Sequence, residues 1–244
     1  KYNYFLKISL MPIINYIYQN TKFLHCTTDQ EKKSAKKYLP KFNYEIFPNI
    51  ISEKSNSLKF NYKKRKDYLY LGRLHHKKNI DQIIMAFFLA QKKIDPRIKL
   101  FIAGKGDQKY TNYLKEIVKR KNLQNKVIFL GHQNYKKKMR LMFKSKYLIF
   151  FSKSENFGNV ILEAMLAKLP VIVSKKLPWK ILNNIRAGYL INHNIENLKK
   201  IIIKSSKISR KKYLKQFQNC KILLEKYSSN KNLPIIIKIF RKYS

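Results

Sequence analysis

Residues 147–174 read YLIFFSKSENFGNVILEAMLAKLPVIVS, and this stretch decides the fold. The apolar run at 147–152 predicts a strand, and the apolar residues at helical spacing over 159–168 predict a helix. A second apolar run at 170–175 predicts another strand. Two strands that are joined by a helix form a βαβ unit, in which both strands lie parallel in one sheet.

The same alternation extends upstream to residue 67. Strands are predicted in DYLYLGRL, IKLFIAGKGD and KVIFLGH, and helices in NIDQIIMAFFLAQKK, YTNYLKEIVKRKN and YKKKMRLMFKSK. The predicted strands are nearly all apolar, which indicates a parallel sheet buried on both faces. We therefore predict an α/β fold with a doubly wound parallel sheet, as a Rossmann-like domain over residues 67–194.

The flanking segments have a different composition. Residues 1–50 contain a helical pattern and two short strand signals, in TKFLHCTT and NYEIFPNII. Residues 51–66 are polar and basic, which predicts a linker. Residues 195–244 have no strand signal and predict C-terminal helices with a break near Pro234.

The charge of the chain is strongly positive, with 54 Lys and Arg against 13 Asp and Glu and a formal net charge of +41. Only eight of the basic residues are Arg. The abundance of Lys, Ile, Asn, Tyr and Phe is typical of an AT-biased genome, so many lysines are interpreted as background on solvated faces. The charge attracts phosphate-rich ligands and anionic membranes. Nucleic acid is the least favoured partner, because its readers favour Arg.

Two cysteines, Cys26 and Cys220, give neither a metal-binding spacing nor a disulfide framework, which fits a reducing cytosol. No apolar run approaches 18 residues, so no membrane-spanning helix is predicted. We expect a cytoplasmic protein, and peripheral contact with the inner face of the plasma membrane stays open.

The loop after the first strand of the predicted sheet carries two cations. Ligands of an open parallel sheet bind at the carboxyl ends of its strands. Gly72 permits a tight turn, Arg73 emerges at the strand end, and Lys78 lies near the start of the next helix. Two cations beside helix N-terminal amides would clamp a diphosphate. The alternative is two more solvated cations in a lysine-rich chain.

The segment SENFGNVILE places Glu155 and Glu163 eight residues apart. Eight helical residues span roughly 12 Å, whereas the carboxyl groups of a glycosidase need about 5 to 9.5 Å, so that pairing is disfavoured. Instead, Glu155 would face the cleft, Gly158 would allow close backbone approach, and the amides of residues 157–160 would bind an anion. Glu163 would reach a pair of ribose hydroxyls. The alternative is an ordinary helix N-terminus with favourable acidic residues.

Five motifs, GRLHHKKN, LFIAGKGD, VIFLG, SENFGNVILEAM and PVIVS, occur in one order along the chain. That order resembles glycosyltransferase family 4, whose members are retaining enzymes of the GT-B fold. The resemblance covers about residues 65–195, the nucleotide-sugar-binding C-terminal domain of such enzymes. The E-x(7)-E element from Glu155 to Glu163 is its most diagnostic part.

The resemblance implies a role for each matching residue. It implies that Arg73 and Lys78 hold the donor diphosphate, that Glu155 contacts the donor sugar, and that these three are the catalytic residues. The implied donor-binding residues are Gly72, Arg73, Lys78, Gly131, His132, Glu155, Asn156, Phe157, Gly158, Asn159, Val160 and Glu163. Glu163 would bind the ribose, and the base would lie near Gly131 and His132. No metal ion or other cofactor is implied, because fixed cations would stabilise the departing diphosphate.

The implied reaction moves a sugar from a nucleotide-diphosphate sugar to a glycan or lipid-linked acceptor, with retention. The segment LPWKIL at 177–182 resembles members from bacterial surface-polysaccharide synthesis, such as capsule or lipopolysaccharide. Residues 1–50 resemble the end of an acceptor-side domain, and the start at Lys1 predicts an N-terminally incomplete chain. The alternatives are a basic non-catalytic module that binds anionic membrane or nucleic acid, and an inactive transferase remnant.

Two further residues, Lys168 and Trp179, lie outside the implied donor-binding set. Lys168 stands where the family usually has a glycine that ends a helix with positive φ, and it should cost about 1 kcal/mol of stability. Trp179 lies in LPWKIL. One interpretation of this tryptophan is that it belongs to the resemblance to the surface-polysaccharide enzymes. The alternative is that it packs in the core.

Overall fold

A computed structural model describes residues 11–51 and 65–244. This part of the chain divides into two compact units: residues up to 50 join residues 227–244 in one, and residues 51–226 form the other. The predicted linker at 51–66 lies for most of its length outside the described residues.

The secondary structure alternates as predicted. The α-helices of the described residues are α1 (Met11–Ile17), α2 (Asp29–Lys36), α3 (Ile80–Ala90), α4 (Gln108–Arg120), α5 (Tyr135–Lys144), α6 (Asn159–Leu166), α7 (Ile181–Ile185), α8 (Ile195–Ser206), α9 (Arg210–Lys226) and α10 (Ser229–Tyr243). The strands are β1 (Leu24–Cys26), β2 (Tyr44–Ile46), β3 (Tyr68–Leu71), β4 (Leu100–Ala103), β5 (Val127–Gly131), β6 (Tyr147–Phe150), β7 (Val171–Ser174) and β8 (Gly188–Ile191). Short 3-10 helices follow at His76–Lys78 and Gln91–Lys93.

The smaller unit pairs β1 with β2 in parallel and packs α10 against them. The Thr28 side chain accepts a hydrogen bond from the backbone of Glu31 and so caps the N-terminus of α2. The rings of Phe23 and Phe240 lie 5.4 Å apart, edge to face. Together with a hydrogen bond from Lys242 to Glu45 of 2.9 Å, this contact attaches α10 to the strands.

The larger unit is built on a parallel sheet with the strand order β5-β4-β3-β6-β7-β8. Within this sheet, the first strand along the chain is the central strand β3. The chain then continues to β4 and to β5 at one edge, returns to β6 beside β3, and continues through β7 to β8 at the other edge. The doubly wound α/β fold that the sequence predicts is therefore confirmed. Its topological switch point, where ligands bind in folds of this kind, lies between β3 and β6.

The strands of this sheet are apolar because helices cover both of its faces. Every residue of β6 and of β7 is buried. Helix α3 packs against α8, and α6 packs against α9. A sheet that is covered on both faces needs strands that are apolar at nearly every residue. For this reason the strands could be predicted from apolar runs in the sequence.

The sequence analysis missed the edge strand β8 and the short helix α7 before it. Three of the four residues of β8 are only half buried, so the apolar signal is weak. The predicted helix break near Pro234 is wrong, because this proline lies inside α10. Helix α9 ends at Lys226 and α10 begins at Ser229, so the interruption lies between these two residues. Pro234 cannot donate a backbone hydrogen bond and its ring crowds the carbonyl four residues earlier, so the helix continues through it at a local cost in stability. Helices α8 and α9 belong to the unit of the sheet, whereas α10 belongs to the smaller unit.

The C-terminus of α6 has an unusual support. Lys168 has a φ of 47°, the left-handed conformation expected at the position where the family has glycine. The Arg65 guanidinium donates hydrogen bonds of 2.9 Å to the carbonyls of Ala167 and Lys168. These bonds satisfy carbonyls that a helix end leaves without partners. Arg65 falls in the predicted linker but is buried, at 5% exposure, so this residue belongs to the core.

Candidate active site

The loops after β3 and β6 flank the switch point, and they carry the predicted catalytic residues. Arg73 lies two residues beyond the end of β3, and Lys78 ends the 3-10 helix that follows. Glu155 lies in the loop between β6 and α6. Because β3 and β6 are parallel neighbours, both loops leave the same edge of the sheet.

Lys78 and Glu155 meet across these two loops. The Lys78 ammonium donates to Oε2 of Glu155, and both side chains are mostly buried, at 19% and 23% exposure. The ammonium also lies 5.4 Å from the centre of the Phe150 ring. A Cβ added to Gly158 would come within 2.9 Å of the same ring. The structure thus brings Lys78, Glu155 and Gly158 together around Phe150.

Gly158 gives the second loop its shape. It caps the N-terminus of α6 with a φ of 86°, in the left-handed region that favours glycine. The helix begins at Asn159, so the Asn159 and Val160 amides lie in its first turn, and Asn156 and Phe157 precede the cap. A side chain at position 158 would be strained by its φ and would also collide with Phe150.

Trp179 anchors this loop from inside the protein. Its indole N–H donates a hydrogen bond of 2.5 Å to the Phe157 carbonyl, and the two rings lie 5.2 Å apart. Trp179 is 1% exposed, so it does pack in the core, as the alternative interpretation proposed. It also fixes the backbone immediately before Gly158.

Tyr70 connects Arg73 with Glu155 electrostatically. Its hydroxyl donates to the Arg73 carbonyl at 2.9 Å. Burial raises the pKa of Tyr70 above its ordinary value, the neighbouring Tyr110 and Glu155 raise it further, and Arg73 opposes them. The hydroxyl therefore stays protonated, donates to the loop, and lies within the field of both Arg73 and Glu155.

A cavity of about 380 Å³ opens beside Arg73, within the size range of small-molecule sites. Its lining is Leu71, Gly72, Arg73, Ala103, Gly104, Lys105, His132, Gln133 and Lys138. Three predicted donor-binding residues, Gly72, Arg73 and His132, share this wall, and Gly131 precedes His132. A Cβ at Gly104 would lie 1.8 Å from the Gly72 carbonyl oxygen. Only glycine permits this approach of the β3 and β4 loops. Lys78, Glu155 and Gly158 do not line the cavity.

Glu163 connects the two parts of the site. It lies in α6 and accepts a hydrogen bond of 2.5 Å from the Lys138 ammonium, which belongs to α5 and to the cavity wall. The side chain of Lys138 is 18% exposed and that of Glu163 is 23% exposed. The sequence analysis missed Lys138, because it is the last of three consecutive lysines and no spacing distinguishes it from its neighbours.

Within residues 11–51 and 65–244, no group of three or more His, Cys, Asp or Glu side chains could hold a metal ion. In the same described ranges, no helix has the length and apolar character that crossing a membrane requires.

The family model described as Glycosyl transferases group 1 matches residues 52–222. The chain belongs to this glycosyltransferase family. The match covers the sheet and the loops of the site, so the predicted family and the predicted transferase class are confirmed.

Individual relatives resemble parts of the chain. A glycosyltransferase of Methanocaldococcus jannaschii is 38% identical over 108 residues, which are 43% of this chain and 26% of the relative. An N-acetylgalactosaminyltransferase of Campylobacter jejuni, named for a diphospho-undecaprenol substrate, is 35% identical over 109 residues, 45% of this chain and 28% of the relative. The aligned part of the chain thus spans about a quarter of the length of these curated relatives.

The fold recurs in solved glycosyltransferases. TarM of S. aureus, crystallised with fondaparinux, alpha-GlcNAc-glycerol and UDP, superimposes with a TM-score of 0.78 at 23% identity. The superposition covers 91% of this chain and 44% of TarM. This likeness confirms the fold of a GT-B glycosyltransferase.

Proposed function

We propose that this chain binds the donor in a retaining glycosyltransferase that moves a sugar from a nucleotide-diphosphate sugar to a glycan or lipid-linked acceptor. The observation that carries the proposal is the convergence of Lys78, Glu155 and Gly158 at the switch point of the sheet. A cation, a carboxylate and a helix N-terminus in one place suit a ligand that is anionic at one end and a sugar at the other.

Each residue has a physical task in this proposal. Arg73 and Lys78 stabilise the charge that develops on the departing diphosphate, as fixed cations that need no reorganisation. Glu155 accepts hydrogen bonds from the donor sugar and orients it. Glu163 accepts from the ribose hydroxyls, and the base lies toward His132. We propose that transfer proceeds without a metal ion or cofactor, so EDTA should leave its rate unchanged.

Both ion pairs of the site must exchange partners when the donor binds. The diphosphate competes with Glu155 for Lys78, and this releases the carboxylate toward the sugar. The ribose competes with Lys138 for Glu163. Lys78, Glu155 and Glu163 each gain a ligand group in place of the partner that they lose, so none of these three charges is left buried without a partner.

The relatives support the finer part of the proposal. TarM was crystallised with UDP, which makes a nucleotide sugar the natural donor class. The C. jejuni relative is named for a lipid-linked substrate, which supports a lipid-linked acceptor and a role in a bacterial surface glycan such as lipopolysaccharide or capsule.

The test is calorimetric binding of UDP, GDP and ADP to the chain. At least one should bind, and Arg73→Ala should weaken it about 10- to 100-fold, because a hydrogen bond to a charged group contributes about 1.5–3 kcal/mol. Arg120→Ala is the matched control, since this arginine is 70% exposed on α4 and forms a local ion pair with Glu116. If none of the three binds, or if both arginine variants behave alike, the proposal is wrong.

A contact with anionic membrane is proposed alongside, at the cytoplasmic face of the plasma membrane. The net charge of +41 supports it, because basic side chains near an anionic surface contribute about 1 kcal/mol each. The chain should co-sediment with anionic vesicles at low salt and lose this binding as salt rises. Arg73→Ala should not change it. Equal binding to duplex DNA would favour the alternative of a general basic module.

A further inference from the structure

A buried asparagine lies directly behind the cation of the donor site. Asn79 follows Lys78, is 1% exposed and has a φ of 51°. It ends the 3-10 helix that carries Lys78 and stands at the N-terminal boundary of α3. The position of the Asn79 side chain therefore sets where the Lys78 backbone lies.

His193 holds that side chain from the opposite loop. Its Nε2 lies 2.7 Å from Nδ2 of Asn79, and its Nδ1 lies 2.8 Å from the Ser174 hydroxyl. The imidazole stacks on Phe151 with the ring centres 4.3 Å apart. One half-buried histidine after β8 thus joins the loops that follow β3, β6 and β7.

The neighbours of this network fix the direction of its hydrogen bonds. The Asn79 amide nitrogen also faces the Phe151 carbonyl at 3.4 Å, so it donates, and Nε2 of His193 must accept. The proton of the ring then lies on Nδ1 and is donated to Ser174. The Ser174 oxygen accepts a second bond from the Lys176 backbone at 3.2 Å. The network is complete only with a neutral imidazole in this one tautomer.

The surroundings favour the neutral form. Burial lowers the pKa of His193 below its ordinary value, and the positive charges of Lys176 and Lys153 lower it further. Phe151, Ser174 and Asn79, its other neighbours, carry no charge. A proton on Nε2 would face the Asn79 N–H groups, so protonation would break the bond that holds Asn79.

We infer that His193 is a positioning residue for the donor diphosphate, because through Asn79 it fixes the turn that presents Lys78. The inference rests on the proposed function of Lys78. His193 itself touches no part of the proposed ligand. Donor affinity should depend on the imidazole both as an acceptor and as an uncharged group.

The experiment measures binding of UDP, GDP and ADP to the wild type and to His193→Ala and His193→Gln. At about pH 8, His193→Ala should weaken binding about 3- to 10-fold, the loss expected for one hydrogen bond. Glutamine offers a neutral acceptor, so His193→Gln should stay within about twofold of the wild type. Asn192→Ala, at the exposed neighbouring residue, is the control that should change nothing.

The pH profile separates positioning from a general loss of structure. Because the pKa of His193 is lowered, the affinity of the wild type should fall relative to His193→Gln only below about pH 6 and increasingly toward about pH 4.5, and residue 193 is the one titratable group in which the two proteins differ. The ratio of the two affinities cancels the titration of the diphosphate, which both proteins share. This comparison needs only the glutamine variant, so it stands even if His193→Ala does not fold.

The outcomes distinguish the two proposals. If the wild type binds none of the three diphosphates, the proposed function fails and the inference fails with it. If the wild type binds but the glutamine variant follows a parallel pH profile, the inference alone is overturned. Unchanged affinity in His193→Ala has the same meaning.

Discussion

Two lysine–glutamate pairs lie in the site, and they differ in how they are held. The pair of Lys78 and Glu155 joins two loops at the switch point, and the pair of Lys138 and Glu163 joins two helices. Their exposures are nearly the same. The first pair rests on the sheet edge through Asn79 and His193, whereas Lys138 extends from a helix into the cavity wall. Because the two pairs are held differently, we propose different roles for the two lysines: Lys78 as a positioned ligand contact, and Lys138 as a counter-ion of Glu163.

The largest effect should come from Lys78→Met. A methionine keeps most of the side-chain length but removes the charge that would contact the diphosphate. We expect binding of the nucleoside diphosphate to weaken about 10- to 100-fold in calorimetry, since charge-assisted bonds contribute about 1.5–3 kcal/mol. Lys77→Met, at the exposed neighbour, is a control with the same change of charge, because the hydrogen bonds of Lys77 within the described residues use its backbone, which accepts from Lys153 and donates to the His75 side chain. Equal losses of affinity in both variants would mean that Lys78 acts only through the general positive charge of the chain and not through a specific contact with the diphosphate.

The same comparison shows what a sequence can predict. The sheet, its switch point and the placement of Arg73, Lys78 and Glu155 in the loops at its edge were predictable, because buried strands leave apolar runs and loop residues follow them at fixed positions. Lys138 and His193 were not predictable, because each meets its partner only across the fold. Glu163 and Lys138 are 25 residues apart, and Asn79 and His193 are 114 apart. In a chain with so many lysines, composition gives no hint of which lysine finds a carboxylate.

The next effect should separate the two carboxylates. Glu163→Gln should weaken nucleoside diphosphate binding about tenfold, because a charged acceptor of the ribose hydroxyls is lost. Glu155→Gln should leave the same affinity within about threefold, because a diphosphate without its sugar does not reach this residue and Lys78 is freed. Inorganic pyrophosphate, which has no ribose, should not distinguish Glu163→Gln from the wild type. If Glu155→Gln weakened nucleoside diphosphate binding more than Glu163→Gln did, the proposed roles of the two glutamates would have to be exchanged.

A smaller effect concerns the loop that carries Glu155. Trp179→Phe keeps an aromatic ring but removes the bond from the indole to the Phe157 carbonyl. We expect the free energy of unfolding to fall by about 1–2 kcal/mol in urea denaturation followed by circular dichroism. Trp179 is the only tryptophan of the chain, so its fluorescence in the wild type should respond when a diphosphate binds beside Gly158. If the tryptophan fluorescence does not change on binding and the free energy of unfolding of Trp179→Phe equals that of the wild type, Trp179 does not anchor the loop.

The smallest effect should come from Lys138→Met. This variant tests most directly whether the two lysine–glutamate pairs differ in role. If Lys138 is only a counter-ion, its removal frees Glu163 for the ribose, and affinity should rise about two- to fivefold, which corresponds to about 0.4–1 kcal/mol. The gain should shrink as salt rises, because ions screen the pair that is lost. Lys137→Met, at the exposed neighbouring position, should show no gain. A tenfold loss in Lys138→Met would instead make this lysine a ligand contact equal to Lys78, and the distinction between the two pairs would disappear.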